Sequence, residues 1–214
     1  MRYISAALVL IVALMLFTPA AHAIPMTFGA NLSGANEVPA VASPGTGVAT
    51  IVLDPTAQTI QISATFSGLT TPVTMAHIHC CAPLGTNAGV ATTVPAFVGF
   101  PLGATSGNYP PTVFDLTQPT IYNPAFVTAH GGTLSQAAAD LIAGIQGGQT
   151  YFNIHTTMNG GGEIRGQLSP VPEPNTVLLS ATTLVILGAM YLRRRKGKRA
   201  ALAAATFPLV LPGQ

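Results

Sequence analysis

Three histidines stand at spacings that favour metal binding. His77 and His79 are two residues apart on a predicted strand. Residues i and i+2 of a strand point to the same face about 7 Å apart, which suits two ligands of one ion. His155 lies on another predicted strand, on the face opposite Phe152 and Ile154. The alternative is structural, because histidines in a strand can simply bond backbone carbonyls across a crowded core.

Two adjacent cysteines, Cys80 and Cys81, follow His79 directly. An oxidising compartment favours a disulfide, although neighbouring Cα atoms about 3.8 Å apart lie below the usual range for one. Three interpretations stay open: a vicinal disulfide that stiffens the turn, thiolate ligation of a metal beside His79, or disulfides to another molecule. Soft sulfur ligands would favour Cu(I) or zinc.

Other signatures of catalysis are absent from the sequence. It contains no Gly-x-Ser-x-Gly, His-Glu-x-x-His or phosphate-cradling loop, and no carboxylate pair at a spacing that suits acid–base work. Glu163 and Arg165 alternate on one predicted strand, so we expect them to bridge or to project into solvent. His130 stands alone in a predicted loop. These features predict a protein that is not an enzyme.

Strands must position these residues. Residues 59–66 alternate polar and apolar side chains, the period-two pattern of a half-buried strand, and Gly68 ends it. Residues 48–53, 75–79, 151–156 and 163–168 resemble it, and the glycine run 160–162 indicates a hairpin. We predict an all-β fold, most simply a Greek-key sandwich.

One short helix interrupts the strands. Thr133 and Gln136 form a capping box, and Gly147 and Gly148 close the helix. The segment 90–124 is rich in proline, which excludes central strands but allows edge strands and ordered loops. Its aromatic residues either pin the loop to the sheet, which we favour, or form a sugar-stacking surface.

The N-terminus predicts export. Arg2 precedes an apolar stretch from Ile4 to Phe17, and Ala21 and Ala23 fit a small-x-small cleavage site. We expect a signal peptide at 1–23, the alternative being an uncleaved membrane helix. In residues 24–170 five carboxylates oppose one arginine, so the exported domain carries about four net negative charges and no nucleic acid is expected as a partner.

The C-terminal segment 171–199 combines three unlike elements. They are the motif Val171-Pro172-Glu173-Pro174, an apolar stretch at 177–192 and the basic cluster Arg193-Arg194-Arg195-Lys196. Their order resembles the PEP-CTERM sorting signal of Gram-negative bacteria. About sixteen apolar residues before a basic cluster predict a marginal transmembrane helix at 177–192 whose basic end and tail, 200–214, are cytoplasmic. The resemblance implies removal by an exosortase, and the chain departs from it in continuing to residue 214, since such signals usually end within a few residues of the basic cluster. A single-span anchor that is never cut is the alternative.

The remaining domain, 24–170, resembles the CHRD domain, which is named from chordin. The resemblance rests on residues 30–39, on Ala76-His77-Ile78-His79, and on residues 151–156 with 161–168. It implies an immunoglobulin-like barrel or sandwich with a distant likeness to copper-zinc superoxide dismutase. In that enzyme a similar His-x-His strand and a later strand histidine hold copper, so the likeness makes His77, His79 and His155 a candidate three-histidine site for copper or zinc. The enzyme's zinc-binding segment has no counterpart here, and we expect no dismutase activity.

Two functions from different classes follow. The first is an exported envelope or matrix protein that binds or scaffolds the exopolysaccharide layer, with signal peptidase, an exosortase, the membrane and envelope polysaccharide as partners. It would face the periplasm from the inner membrane before processing, and then reach the cell surface or matrix. The second is a periplasmic copper- or zinc-binding redox-type protein that uses the three histidines.

Overall fold

The structure is a computed structural model that describes residues 24–172 and 184–195 of the 214. The predicted signal peptide with Ala21 and Ala23, the motif residues Glu173 and Pro174, Lys196 and the tail 200–214 lie outside the described residues. Residues 24–171 belong to one compact unit, and a helix at 184–195 belongs to a second. Each unit is treated by itself.

Nine strands and two α-helices make up the first unit. The strands are β1 (Met26–Ser33), β2 (Thr46–Asp54), β3 (Thr59–Ser67), β4 (Val73–Cys80), β5 (Gly89–Val90), β6 (Gly107–Asp115), β7 (Thr150–Thr156), β8 (Ile164–Gln167) and β9 (Ser169–Pro170). The helices are α1 (Pro124–Ala129) and α2 (Leu134–Gln146), with 3₁₀ turns at Gly34–Asn36 and Pro119–Ile121.

All strands belong to one antiparallel sheet in the order β5-β4-β7-β8-β1-β2-β3-β6, with β9 also paired to β1. The sheet is open and curled into a half-barrel. The predicted mostly β fold is therefore confirmed, in the form of a single curled sheet. The proline-rich strand β6 lies at one edge, where the missing N–H groups of Pro110 and Pro111 cost least.

The core fills the concave side of the curl. Alternation on β3 buries Ile60, Ile62 and Phe66, as the period-two pattern predicts. The aromatics of the proline-rich segment also turn inward: Phe97 and Tyr109 are buried, with ring centroids 6.2 Å apart. The aromatics therefore pin this segment to the sheet, as favoured above.

Residues 24–171 contain two α-helices where the sequence predicted one for this domain. In α2 the Thr133 hydroxyl accepts a hydrogen bond from the Gln136 N–H at 3.2 Å, which confirms the predicted cap. The helix α1 was missed, although Asn123 caps its first turn and Pro124 occupies the first position. His130 ends α1 and contacts the Asp140 carboxylate at 2.8 Å, so the prediction that it stands alone was wrong.

The second unit contributes the helix at 184–195, whose side chains are exposed and which includes Arg193, Arg194 and Arg195. Within the described ranges, no helix has both the length and the apolar character needed to span a bilayer. The proposed span at 177–192 extends outside those ranges and stays a prediction.

Candidate metal centre

Strands β4 and β7 position the three histidines. The two strands pair antiparallel, with His77 opposite Asn153 and Met75 opposite His155. Because side chains alternate, His77, His79 and His155 share the convex face, while Ile78 points into the core. The rings of His77 and His155 lie 4.6 Å apart between centroids, and those of His77 and His79 lie 5.1 Å apart. The three residues predicted from spacing and resemblance are thus brought together.

The cluster is shielded from solvent. His77, His79 and His155 are 1%, 7% and 4% exposed. Burial, with the neighbouring His155 and His79, lowers the pKa of His77 to about 3. Burial likewise lowers the pKa of His79, to about 4 although its hydrogen bond to Ala88 opposes the shift, and it lowers the pKa of His155. All three rings are therefore neutral near pH 7, the state in which imidazole binds a metal.

Backbone carbonyls set the tautomers of two rings. His79 Nδ1 lies 2.8 Å from the Ala88 carbonyl oxygen, and His155 Nδ1 lies 3.0 Å from that of Gly160. A carbonyl only accepts, so each Nδ1 must carry the proton and each Nε2 must present a bare lone pair. This is the outer-shell arrangement usual for metal-binding histidines, which fixes ring orientation through the second nitrogen.

Nitrogens of the three rings converge. One ring nitrogen from each histidine lies within 4.8 Å of the others, and His77 Nδ1 lies 3.2 Å from His79 Nε2. Because His79 Nε2 carries no proton, this contact is a hydrogen bond that His77 Nδ1–H donates. At an ion that replaced the proton about 2.0–2.1 Å from both nitrogens, the two nitrogens would subtend about 100–106°, close to tetrahedral. Two nitrogens bound to one ion lie at most about 4.1 Å apart, so any pair of the set near the 4.8 Å limit would have to move closer to bind.

Two ring nitrogens of the cluster are buried without a hydrogen-bond partner in the described part of the chain, namely Nε2 of His77 and Nε2 of His155. Buried polar atoms are nearly always paired, since leaving one unpaired costs about 1–3 kcal/mol. A metal ion coordinated by the three rings would use the lone pair of His155 Nε2 and that of His77 Nε2 or, in the other tautomer of His77, its Nδ1. The donor set therefore fits copper or zinc, both of which accept imidazole.

The cysteines lie on the other side of β4. Cys80 and Cys81 are joined by a disulfide, and Cys80 belongs to the apolar core. Their sulfurs lie 3.9 and 3.7 Å from the Asp140 carbonyl oxygen of α2. A Cβ added at Gly144 of α2 would come within 3.1 Å of Cys81 Sγ, so the helix approaches the bridge closely there. Among the described residues, the only metal-type cluster contains the histidines without the sulfurs.

Glu163 and Arg165, expected to bridge or to face solvent, do neither. They are 0% and 5% exposed, respectively. The Glu163 carboxylate accepts hydrogen bonds from Ser43, Thr70 and Thr156, whereas the Arg165 guanidinium lies near Glu37. The prediction was wrong because the loops before β2, β4 and β5 cover these side chains, which strand alternation does not reveal.

Glu37 and Asn153 are two further buried polar residues that the spacing analysis missed. Asn153 donates to Glu37 Oε1 at 2.6 Å and to the Ile164 carbonyl at 3.0 Å, which fixes its amide beside His77. Burial raises the pKa of Glu37 to about 7, against the opposing effects of Asn153 and Arg165. The available signal was the position of Asn153 two residues before His155, which places both side chains on one face of the strand.

Comparison with known proteins gives one match. A family model described as the CHRD domain matches residues 28–168, about two thirds of the chain and nearly all of the first unit. No curated protein and no solved structure matches the chain significantly.

Proposed function

The chain belongs to the CHRD-domain family, and on that premise we propose that it is an exported protein that binds copper or zinc through His77, His79 and His155. The family is generally found in secreted proteins, which is consistent with export. The observation that carries the metal proposal is the pair of buried, unpartnered Nε2 atoms of His77 and His155, in a cluster where one nitrogen of each of the three rings lies within 4.8 Å of the others.

Purely structural histidines would be arranged differently. A histidine retained only to bond the backbone needs one carbonyl, and its second nitrogen can face solvent at little cost. Here His79 and His155 each meet a carbonyl, yet their remaining nitrogens point toward each other and toward His77 within a buried space. The His77 Nδ1–H hydrogen bond satisfies His79 Nε2, but the lone pairs of His77 Nε2 and His155 Nε2 have no partner among the described residues, and a bound cation would supply one.

A competition titration tests the metal proposal. The full chain, purified without metal, is titrated with Cu²⁺ and with Zn²⁺ against a chromophoric chelator, beside a His77/His79/His155 triple-alanine variant. The matched control is His130→Ala, since His130 is engaged by Asp140 away from the cluster. We expect one ion per chain for wild type and control, and none for the triple variant. The proposal would be wrong if wild type bound no stoichiometric metal, or if His130→Ala lost metal binding as completely as the triple variant.

We also propose that the terminal segments direct the protein to the cell surface or matrix. The support is sequence order: the small-x-small site ending at Ala23, and the proline motif from Val171 followed by apolar and basic stretches. Val171 and Pro172 are exposed directly after β9, so the proposed motif begins where the folded unit ends. Signal peptidase and an exosortase would then release the domain into the exopolysaccharide layer.

Intact mass of the protein recovered from its native host checks this placement. A species beginning at Ile24 and lacking the segment after the proline motif is expected. A mature species that retains residues 177–214 would contradict removal of the tail and favour a permanent anchor.

A further inference from the structure

Arg165 is the only lysine or arginine between residues 24 and 172, and it is 5% exposed on β8. Domains usually place such cations in solvent, and a buried charge is costly unless it is paired. This one charge is instead held within the wall of a surface cleft. The contacts of the Arg165 guanidinium show whether a carboxylate of the domain neutralises its charge.

Neutral groups make most of those contacts. Nε donates to the Asn36 carbonyl at 2.6 Å, Nη1 donates to Asn87 Oδ1 at 2.8 Å, and the guanidinium carbon lies 4.4 Å over the Tyr151 ring. The nearest carboxylate oxygen, Glu37 Oε2, is 3.9 Å from Nε, beyond hydrogen-bond distance, while Asn153 binds the other oxygen. Nη2 donates to no described residue. The cation lacks a hydrogen-bonded anion and has a free donor.

The cleft beside this donor has a volume of about 310 Å³. It is lined by Asn31, Asn36, Leu84, Gly85, Arg165 and Gln167. Asn36 and Gln167 donate through their NH₂ groups to backbone carbonyls, so their side-chain oxygens stay available. The exposed Asn31 amide makes no side-chain hydrogen bond to described residues. Leu84, 76% exposed, adds an apolar rim.

We propose that this cleft binds a carboxylate-bearing sugar, a uronic acid unit of an acidic polysaccharide. The guanidinium would take the carboxylate in a charge-assisted contact, and the surrounding amides offer donors and acceptors to ring hydroxyls. The site is distinct from the histidine cluster, although Arg165 covers Tyr151, whose ring stacks on His79 at 4.6 Å. The inference rests on the proposed placement in the exopolysaccharide layer for its biological ligand.

The test is calorimetric titration of the full chain with trigalacturonate, with the neutral galactose trimer and with a short peptide bearing a free C-terminal carboxylate. Replacing Arg165 risks unfolding, so the variant is Asn31→Asp, which places a negative charge in the cleft at an exposed position. Asn108→Asp is the matched control, because it makes the same charge change at an exposed position lining another cleft.

We expect trigalacturonate to bind, Asn31→Asp to weaken it about tenfold or more, and Asn108→Asp to change it less than about twofold. Equal binding of the neutral trimer overturns the role of the carboxylate, and equal binding of the peptide overturns the sugar assignment. If trigalacturonate does not bind, or if Asn31→Asp and Asn108→Asp weaken its binding equally, this cleft is not the binding site. Metal titration of the same samples reports separately on the histidines.

Discussion

Strands β4 and β7 bury both of their faces, but they do so with different chemistry. The concave face carries Ile78, Phe152 and Ile154, whose packing in the core needs shape and volume alone. The convex face carries His77, Asn153 and His155, which are as deeply buried but polar. A buried polar group lowers stability unless it has a hydrogen-bond or metal partner. The contacts of the convex face therefore bear on function more directly than those of the concave face.

The largest effect on stability is expected from the concave face. Phe152 is fully buried, with ring centroids 5.9 Å from Phe97 and 6.3 Å from Phe100. Phe152→Ala should lower the free energy of unfolding by about 3–5 kcal/mol through lost burial and a residual cavity. Urea denaturation measures the change. The folded fraction of the variant should still bind one metal ion per chain. Loss of metal from the folded variant would show that metal binding also depends on the concave face.

The next largest effect is the pH dependence of stability that Glu163, on the convex side, produces in acid. Burial raises its pKa, but hydrogen bonds from Ser43, Thr156 and Thr70 outweigh burial and lower it to about 2. Because its ordinary pKa is 4.5, the folded state binds this proton less readily than the unfolded state. The stabilisation is present above about pH 4.5 and is lost as the pH falls toward 2, with at most about 3 kcal/mol involved. Glu163→Gln should flatten that acid decline in thermal melts.

Glu37 changes stability with pH in the opposite direction from Glu163. Its pKa of about 7 in the folded state lies above its ordinary value of 4.5, so stability should fall as the pH rises from about 4.5 to 7. Glu37→Gln should remove that neutral-range decline and leave the acid decline of Glu163 in place. If Glu37→Gln and Glu163→Gln gave the same dependence of stability on pH, the two carboxyl groups would not have pKa values shifted in opposite directions.

A somewhat smaller effect is expected from the metal itself. An ion that binds only the folded state, supplied at about a hundred times its Kd, should stabilise wild type by about 2.7 kcal/mol. His155→Ala should lose most of this gain, because it removes one of the three nitrogens. Melting with and without Cu²⁺ or Zn²⁺ measures it, and an unchanged gain in the variant would place the ion elsewhere.

The smallest effect is expected at His130, away from the cluster. Its contact with Asp140 is partly exposed, with the two side chains 25% and 34% accessible, so the pair is worth at most about 1 kcal/mol. His130→Ala should lower stability by about that amount or less, as measured in urea, with the metal-induced gain intact. A loss of several kcal/mol would mean that the pair has a larger structural role than its exposure implies.

Periodicity was enough to predict the strands that bury one face, such as β3, and local capping was enough to predict α2 from Thr133 and Gln136. Spacing placed His77 and His79 on one face, but only the long-range pairing of β4 with β7 brings His155 to them. The surroundings of Glu37, Glu163 and Arg165 could not be predicted, because they depend on loops from distant parts of the chain that fold over the convex face.

Metal content tests the central claim most directly. The protein is exported by cells supplied with both copper and zinc, purified without added metal and analysed by elemental mass spectrometry beside the His77/His79/His155 triple-alanine variant. The account predicts close to one copper or zinc ion per wild-type chain and a background level in the variant. Background metal in both proteins, or equal metal in both, would contradict a metal centre built from the three histidines.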